Sequence, residues 1–403
     1  MNFKFALVAA AVLGAASTAQ AADLAKKAPA AANYVKVCDA YGAGFFYIPG
    51  SDTCLKIGGY VRAQYNVFGH NRDWGGIVGW NTRAQSGIAT FVRADVTIDA
   101  RTNTELGLLR SFIDFEINSA SFGNGTTNAA GLPAGVTLNK AFIQFGGLTA
   151  GRAASFFDFW TGNTYGSWFE PAHSDTNINL LGYTFAFGNG ITASVALEDR
   201  SSGNAGRMYS TLGTPYAGVK TTDLVANINV SQAWGSAQLM GALHDNYAAA
   251  EGKLGWAIGG GVTVNLPMLG AGDTFSLQAA YAKGANSYVA PDWSGVWNYD
   301  FVGGAVAGST VEQTTAWSIG AGLTHNWTKT VSTSLEASYA KHDAFSDVND
   351  YTQLDLQGNV VWAPVSGLTI GAELEYRKID NGSNTGVVDA SALVGLIRVQ
   401  RNF

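Results

Sequence analysis

The chain has 403 residues with only 13% charged, about half the usual soluble share of roughly 25%, and its 24 Lys+Arg against 30 Asp+Glu give a net charge of −6. Glycine reaches 50 residues and aromatics 12%, while proline stops at 8. A mildly acidic balance excludes a protein built to bind nucleic acid, and no run beyond the N-terminus is long and apolar enough for a transmembrane helix.

Lys4 precedes an apolar run from Phe5 to Ala16, and Ala19-Gln20-Ala21 supplies a small-x-small cleavage site. Residues 1–21 therefore read as a secretory signal peptide cut between Ala21 and Ala22; a membrane anchor is the poorer reading, because the run is too short to span. Loss of Lys4 leaves the mature chain at −7. An exported chain that is sparsely charged, rich in Gly and aromatics and free of hydrophobic helices points to a transmembrane β-barrel in lipid.

Residues 22–33, rich in Ala, Lys and Pro, read as a periplasmic leader ahead of the barrel over 34–403. Residues 34–55 form a compact stretch bounded by Cys38 and Cys54, read as a small stapled hairpin. Two cysteines at close spacing in an oxidising compartment are expected to bridge, with two free thiols as the alternative. No His or further Cys lies near them, so they do not suggest a metal site.

From residue 57 a two-residue period takes over. Val61, Ala63, Tyr65 and Val67 alternate with Arg62, Gln64 and Asn66; Ile88 to Ile98 alternate with Arg93, Asp95 and Thr97; Ile113, Phe115 and Ile117 alternate with Arg110, Asp114 and Glu116. Such alternation separates two faces of a strand. Sixteen segments of this kind start near residues 57, 87, 104, 136, 147, 178, 191, 222, 236, 255, 274, 314, 330, 351, 367 and 390. Gly188-Asn189-Gly190, Trp234-Gly235-Ser236 and Pro364-Val365-Ser366-Gly367 read as brief turns, whereas 119–135, 199–221 and 284–313 are long and rich in Gly, Asn and Ser. Short turns on one side and long loops on the other fit an outer-membrane barrel. Phe68, Trp234, Trp256, Tyr281, Trp327, Tyr339, Trp362 and Tyr376 lie near strand ends, as interfacial girdles require. The glycines at 259–261 read as a smooth or closely packed barrel surface. The fold class is all-β, an antiparallel transmembrane barrel of about sixteen strands.

Residues 153–177 break the pattern with a dense aromatic cluster carrying Asp158, Glu170 and Asp175. One reading is a long surface loop packed on itself. The other is a loop folded inside the barrel, with Phe156, Phe157, Phe159 and Trp160 anchoring it to the wall and the three acids facing water. Loops of this length are uncommon unless functional. Arg62, Arg93, Arg110 and Arg152 would then face the acids across the passage and set a transverse field. In the alternative, each Arg pairs with a wall carboxylate (Asp95, Asp99, Asp114 or Glu116) and only stiffens the barrel.

Tyr34-Val-Lys-Val-Cys-Asp-Ala-Tyr-Gly-Ala-Gly-Phe-Phe-Tyr-Ile-Pro-Gly, with Cys54-Leu-Lys-Ile-Gly-Gly-Tyr-Val-Arg62, resembles the N-terminal signature of the alphaproteobacterial general porins of the Rhizobiales type. Thr149-Ala-Gly-Arg-Ala-Ala-Ser-Phe-Phe-Asp158 resembles the start of that family's pore-narrowing third loop. Phe403 closing an alternating strand resembles the assembly signal of Gram-negative outer-membrane barrels, although Arg401 stands where that signal usually has an apolar residue. The resemblance spans essentially the whole mature chain. It implies a homotrimeric barrel with an inward-folded constriction loop, inserted into outer-membrane lipid by the barrel-assembly machinery. Ions and small hydrophilic solutes would diffuse passively through it, without cofactor or metal.

An outer-membrane hydrolase would need a nucleophile with His and an orienting group, or a His–Asp pair activating water. His70, His173, His244, His325 and His342 are scattered, and His173 near Asp175 is the one tempting pair. A structural barrel or adhesin would have a sealed interior, which the polar inward faces oppose. The overall charge leans towards cations, but loops dilute it.

Overall fold

The computed structural model describes residues 36–70, 86–121, 136–202, 207–209, 216–249, 251–289, 299–303, 310–343, 350–381 and 389–403. The signal peptide, the leader and residues 34–35 lie outside them. Among the described residues, sixteen long strands run β1 Cys54–Phe68, β2 Ile88–Thr104, β3 Gly107–Ser121, β4 Val136–Phe145, β5 Leu148–Ala154, β6 Asn177–Gly188, β7 Ile191–Glu198 and β8 Asp223–Gln232. They continue as β9 Gly235–Tyr247, β10 Gly252–Asn265, β11 Thr274–Lys283, β12 Thr315–Asn326, β13 Val331–Asp343, β14 Tyr351–Val365, β15 Leu368–Asn381 and β16 Ala390–Asn402. Each pairs antiparallel with the next, and β16 closes on β1 from Val394↔Phe68 to Asn402↔Tyr60. Closure leaves no strand edge, which the hydrocarbon region requires of any spanning sheet. Every strand begins within three residues of its expected start.

Side-chain parity sorts the wall. Ile57, Val61 and Tyr65 of β1, Leu239 of β9, Leu254 of β10 and Leu335 of β13 point outward and are exposed, while Gln64, Asn66, Asp95, Asp99, Gln278 and Glu336 point inward and are buried. This is the reverse of a water-soluble protein. Trp256, Tyr281, Trp317 and Tyr339 ring the outside near one rim, with Trp256 5.5 Å from Tyr281 and Trp317 5.5 Å from Tyr339. Trp234, Trp327 and Trp362 stand near the other rim, also exposed. Phe68 departs from the girdle expectation: it has the inward parity of Gln64 and Asn66 and is buried edge-on against Trp168, 4.7 Å away.

The rim near the chain termini carries short turns. At 188–190, Gly188, Asn189 and Gly190 all adopt positive φ (84°, 51° and 76°), which glycine and asparagine tolerate best. Pro364 falls where the β14–β15 register shifts between Trp362 and Val365, the bulge position a residue without an N–H can occupy. Cys38 and Cys54 are bridged, with Cα atoms 6.0 Å apart. The two-residue strand Phe46–Tyr47 pairs with Cys54–Leu55, and Cys38, Phe45 and Cys54 form a small buried cluster beside Tyr41 and Tyr47. The stapled hairpin is present as expected.

Candidate functional site: the narrowed lumen

Residues 155–176, joining β5 to β6, lie along the inner wall. Their backbone amides meet inward carboxylates one strand after another. Glu198 on β7 accepts from Phe156 N at 2.8 Å and from Ser155 Oγ at 2.8 Å. Glu336 on β13 accepts from Asn163 N at 2.7 Å and Thr164 N at 3.2 Å. On β15, Glu373 accepts from Tyr165 N at 2.6 Å and Gly166 N at 3.1 Å, and Glu375 accepts from Ser167, Trp168 and Phe169 N at 2.9, 2.9 and 2.8 Å. Successive amides converging on one anion make a nest, and each bond to a charged acceptor is roughly twice as strong as a neutral one. Amides of Gln278 on β11 and Asn227 on β8 complete the track, accepting from Trp160 N at 3.0 Å and donating to Phe156 O at 2.6 Å.

Glycines on the strands make room for the loop's rings. A Cβ on Gly261 would stand 2.5 Å from Phe159, one on Gly182 2.7 Å from Phe156, and one on Gly320 2.8 Å from Trp160. Gly261, expected to belong to a smooth or closely packed surface, is thus the seat of an aromatic ring. Phe157 is fully buried with Val225, Met240, Ala242 and Tyr288.

The inner surface on that side is filled further. Tyr288 and Val289, from the connection between β11 and β12, are fully buried. Tyr288 donates to Asp223 at 2.7 Å, and Arg207 lies over its ring at 3.9 Å. Neither Arg207 nor Tyr288 was flagged by the sequence, because partners on distant loops leave no local pattern.

The opposite wall, β1 to β4, keeps its charged side chains for itself. Arg93 pairs with Glu116 at 2.8 Å; Arg110 and Arg101 both pair with Asp99, at 2.9 and 2.7 Å. Arg62 donates instead to the amide oxygen of Gln400 at 2.8 Å. Between this wall and the loop lies a cavity of about 330 Å³ lined by Arg62, Gln64, Phe91, Arg93, Tyr165, Trp168, Glu170 and Arg398 among others.

Two expected site residues lie elsewhere. Arg152 has the parity of Leu148 rather than of Thr149 and Ala153, which point inward; it faces outward and donates to Leu138 O and Asn139 O at 3.1 and 3.2 Å. Asp158 is tucked behind the loop: it accepts from Thr176 N at 2.8 Å and from Ser174 Oγ, and lies 3.6 Å from Arg207. Its side chain is only 5% exposed, so it staples the loop rather than facing water. Glu170 and Asp175 are both exposed. Asp175 is accessible yet enclosed by the barrel, and this enclosure, together with Asp158 and Glu170 nearby, pushes its carboxyl up to about 7. His173 is buried, which pushes its imidazole down to about 4. Neutral and lying 5.6 Å from the Trp160 ring, it makes no pair with Asp175 among the described residues.

Arg398 escaped the sequence reading because it sits a few residues before the terminus, in a stretch read for assembly. Glu373 and Glu375, two acids on one face of one strand, were the visible signal of an acceptor array for backbone amides.

The chain matches the porin subfamily over residues 23–395. It is 31% identical over 419 aligned residues to porin Omp2b of Brucella abortus strain 2308 and 32% identical to that of Brucella suis biovar 1, each time over the whole of both chains. The outer membrane channel DcaP of Acinetobacter baumannii superposes with a TM-score of 0.70 at 16% identity, over 89% of this chain and 99% of its own. The anion-selective porin from Comamonas acidovorans does so with a TM-score of 0.53 at 11% identity, over 87% of this chain and 100% of its own; at such identities both speak to the fold alone. A full-length family match on a closed sixteen-strand barrel narrowed from within means that the chain belongs to the porin subfamily, the passive diffusion channels of the Gram-negative outer membrane.

Proposed function

We propose that solutes pass between the exposed side of the 155–176 loop, carrying Glu170 and Asp175, and the β1–β4 wall with Arg62, Arg93 and Arg110, joined by Arg398. The observation that carries this is the one-sided seating of the loop. Glu198, Glu336, Glu373 and Glu375 are consumed in holding its backbone, so their charge is spent on amides and the passage is left to the other wall. Phe156, Phe157, Phe159 and Trp160 act as the anchors, and the acids and guanidinium groups across the gap orient polar solutes in a transverse field. Apolar solutes lose hydration there and gain little.

The test is single-channel recording of the reconstituted protein with Glu170→Gln and Asp175→Asn. Both variants should shift the reversal potential towards anions, and Asp158→Asn should not. Unchanged selectivity in the first two would remove the loop acids from the passage. Assembly as a homotrimer predicts three equal stepwise closures in the same recordings. Export by a signal peptide cut after Ala21, and insertion through the assembly machinery acting on the strand that ends in Phe403, complete the reading. Sequencing of the mature N-terminus should begin at Ala22.

A further inference from the structure

We infer that the narrowed lumen contains a docking station for the carboxylate of small organic anions, formed by Arg62 and Arg398. The inference deepens the channel reading above and rests on it.

Three guanidinium groups line the 330 Å³ cavity between residues 165–170 and strands β1, β2 and β16. Arg93 is neutralised by Glu116 at 2.8 Å. The other two are not in an ion pair among the described residues. Arg398 gives both Nε and Nη2 to a single amide oxygen, Gln64 Oε1, at 2.9 and 2.7 Å, and its plane lies 3.9 Å from the ring centre of Tyr165. Arg62 gives Nε to Gln400 and rests over the Tyr60 ring at 4.7 Å. Both are therefore fixed in orientation by neutral groups, with Arg62 Nη1 and Nη2 left without a protein partner among the described residues. A guanidinium stays charged at any physiological pH. Two of them held together without a counter-carboxylate form a site that an anion completes, and the planar fork matches a carboxylate in particular.

The rest of the lining sets the ligand's body. Phe91, Tyr165 and Trp168 offer ring faces and Ser167 a hydroxyl, whereas the Gln64 amide is already committed to Arg398, Asn66 and Ser167. The volume lies at the lower end of small-molecule sites, about 300–1,000 Å³. The ligand class is thus a small carboxylate on a short apolar or aromatic body. Glu170 lines the same cavity and opposes the anion, which keeps binding weak. A transport site needs that weakness: solutes must enter readily and also leave.

The experiment uses the full mature protein in planar bilayers under potassium chloride, with sodium benzoate, benzamide or inorganic phosphate added at constant ionic strength. Benzoate should reduce the current saturably, with half-block in the low millimolar range, roughly as expected for a weak transport site; benzamide and phosphate should need at least about tenfold more. Arg62→Gln and Arg398→Gln should each raise the half-block concentration about tenfold, the effect of removing one charge-assisted hydrogen bond. Glu170→Gln should lower it severalfold by relieving repulsion. Arg62 touches no loop residue through a hydrogen bond, so its variant carries the test if Arg398→Gln disturbs the loop. Conduction without saturable block, an unchanged Arg62→Gln, or equal block by phosphate and benzoate would overturn the station while leaving the channel intact. A protein that never conducts would defeat the channel reading itself.

Discussion

Among single residues, the wall glutamates show how burial redirects a charge. Glu375 is fully buried and accepts three consecutive loop amides. In Glu375→Gln one oxygen and the charge disappear, and an NH₂ group is turned towards N–H donors. The expected cost is about 2–4 kcal/mol of loop docking, read as noisier, larger single-channel conductance and faster proteolysis within 155–176. Asp175 behaves differently, because no ion pair holds it among the described residues and enclosure raises its carboxyl to about 7. The group is neutral well below pH 7 and charged well above it. Lowering pH from 8 to 6 therefore removes a negative charge from the lumen, and cation preference should fall across that window. Asp175→Asn should flatten the step; a step that persists unchanged in the variant assigns it to another group.

Among elements, the loop and the stapled N-terminal segment depend on different things. The loop is seated by shape: Gly320 and Gly322 leave room for Trp160, and a Cβ on Gly320 would come within 2.8 Å of that ring. Gly320→Val should expel Trp160 and lift the loop, changing conductance while the barrel still forms. Heat-resistant mobility on gels, kept while conductance shifts, would show the two effects separated. The N-terminal segment is held by a disulfide closing a separation of 16 residues, for which chain-entropy arguments give about 3 kcal/mol. Because that segment packs against the start of β1 and the end of β2, Cys38→Ser with Cys54→Ser should raise hydrogen exchange over 38–55 and spare the mid-strand amides of the barrel.

The loop's location was legible from its aromatic density, and the strand starts from their period. Which way Arg152 points was legible too, once Leu148, Thr149 and Ala153 are read as one alternating strand; proximity to the loop misled. Asp158 was not legible, since its partners Arg207, Ser174 and Thr176 meet it only after two connections fold onto the same wall.

For the whole molecule, stability and orientation come from the lipid band. Leu335 lies outward on β13 between the girdle residues Tyr339 and Trp362, the latter on the strand paired to Val331, and is 55% exposed. Leu335→Arg should cost about 2–4 kcal/mol if it sits at the midplane, measured by denaturant unfolding from vesicles; an effect near zero would move this residue to an interface. The two-residue period, the spacing of turns and the apolar residues of one parity determined the barrel, its strand number and its outer face from the sequence alone, because in a strand the facing of every side chain follows from its place in the count. The tertiary structure alone decided which inward charges are pore charges. Glu198, Glu336, Glu373 and Glu375 read on paper like any lumen acid, and only the arrival of the 155–176 backbone turns them into clamps. The same one-sided seating leaves Arg62 and the largely buried Arg398 lining the cavity beside the loop, without a carboxylate partner among the described residues.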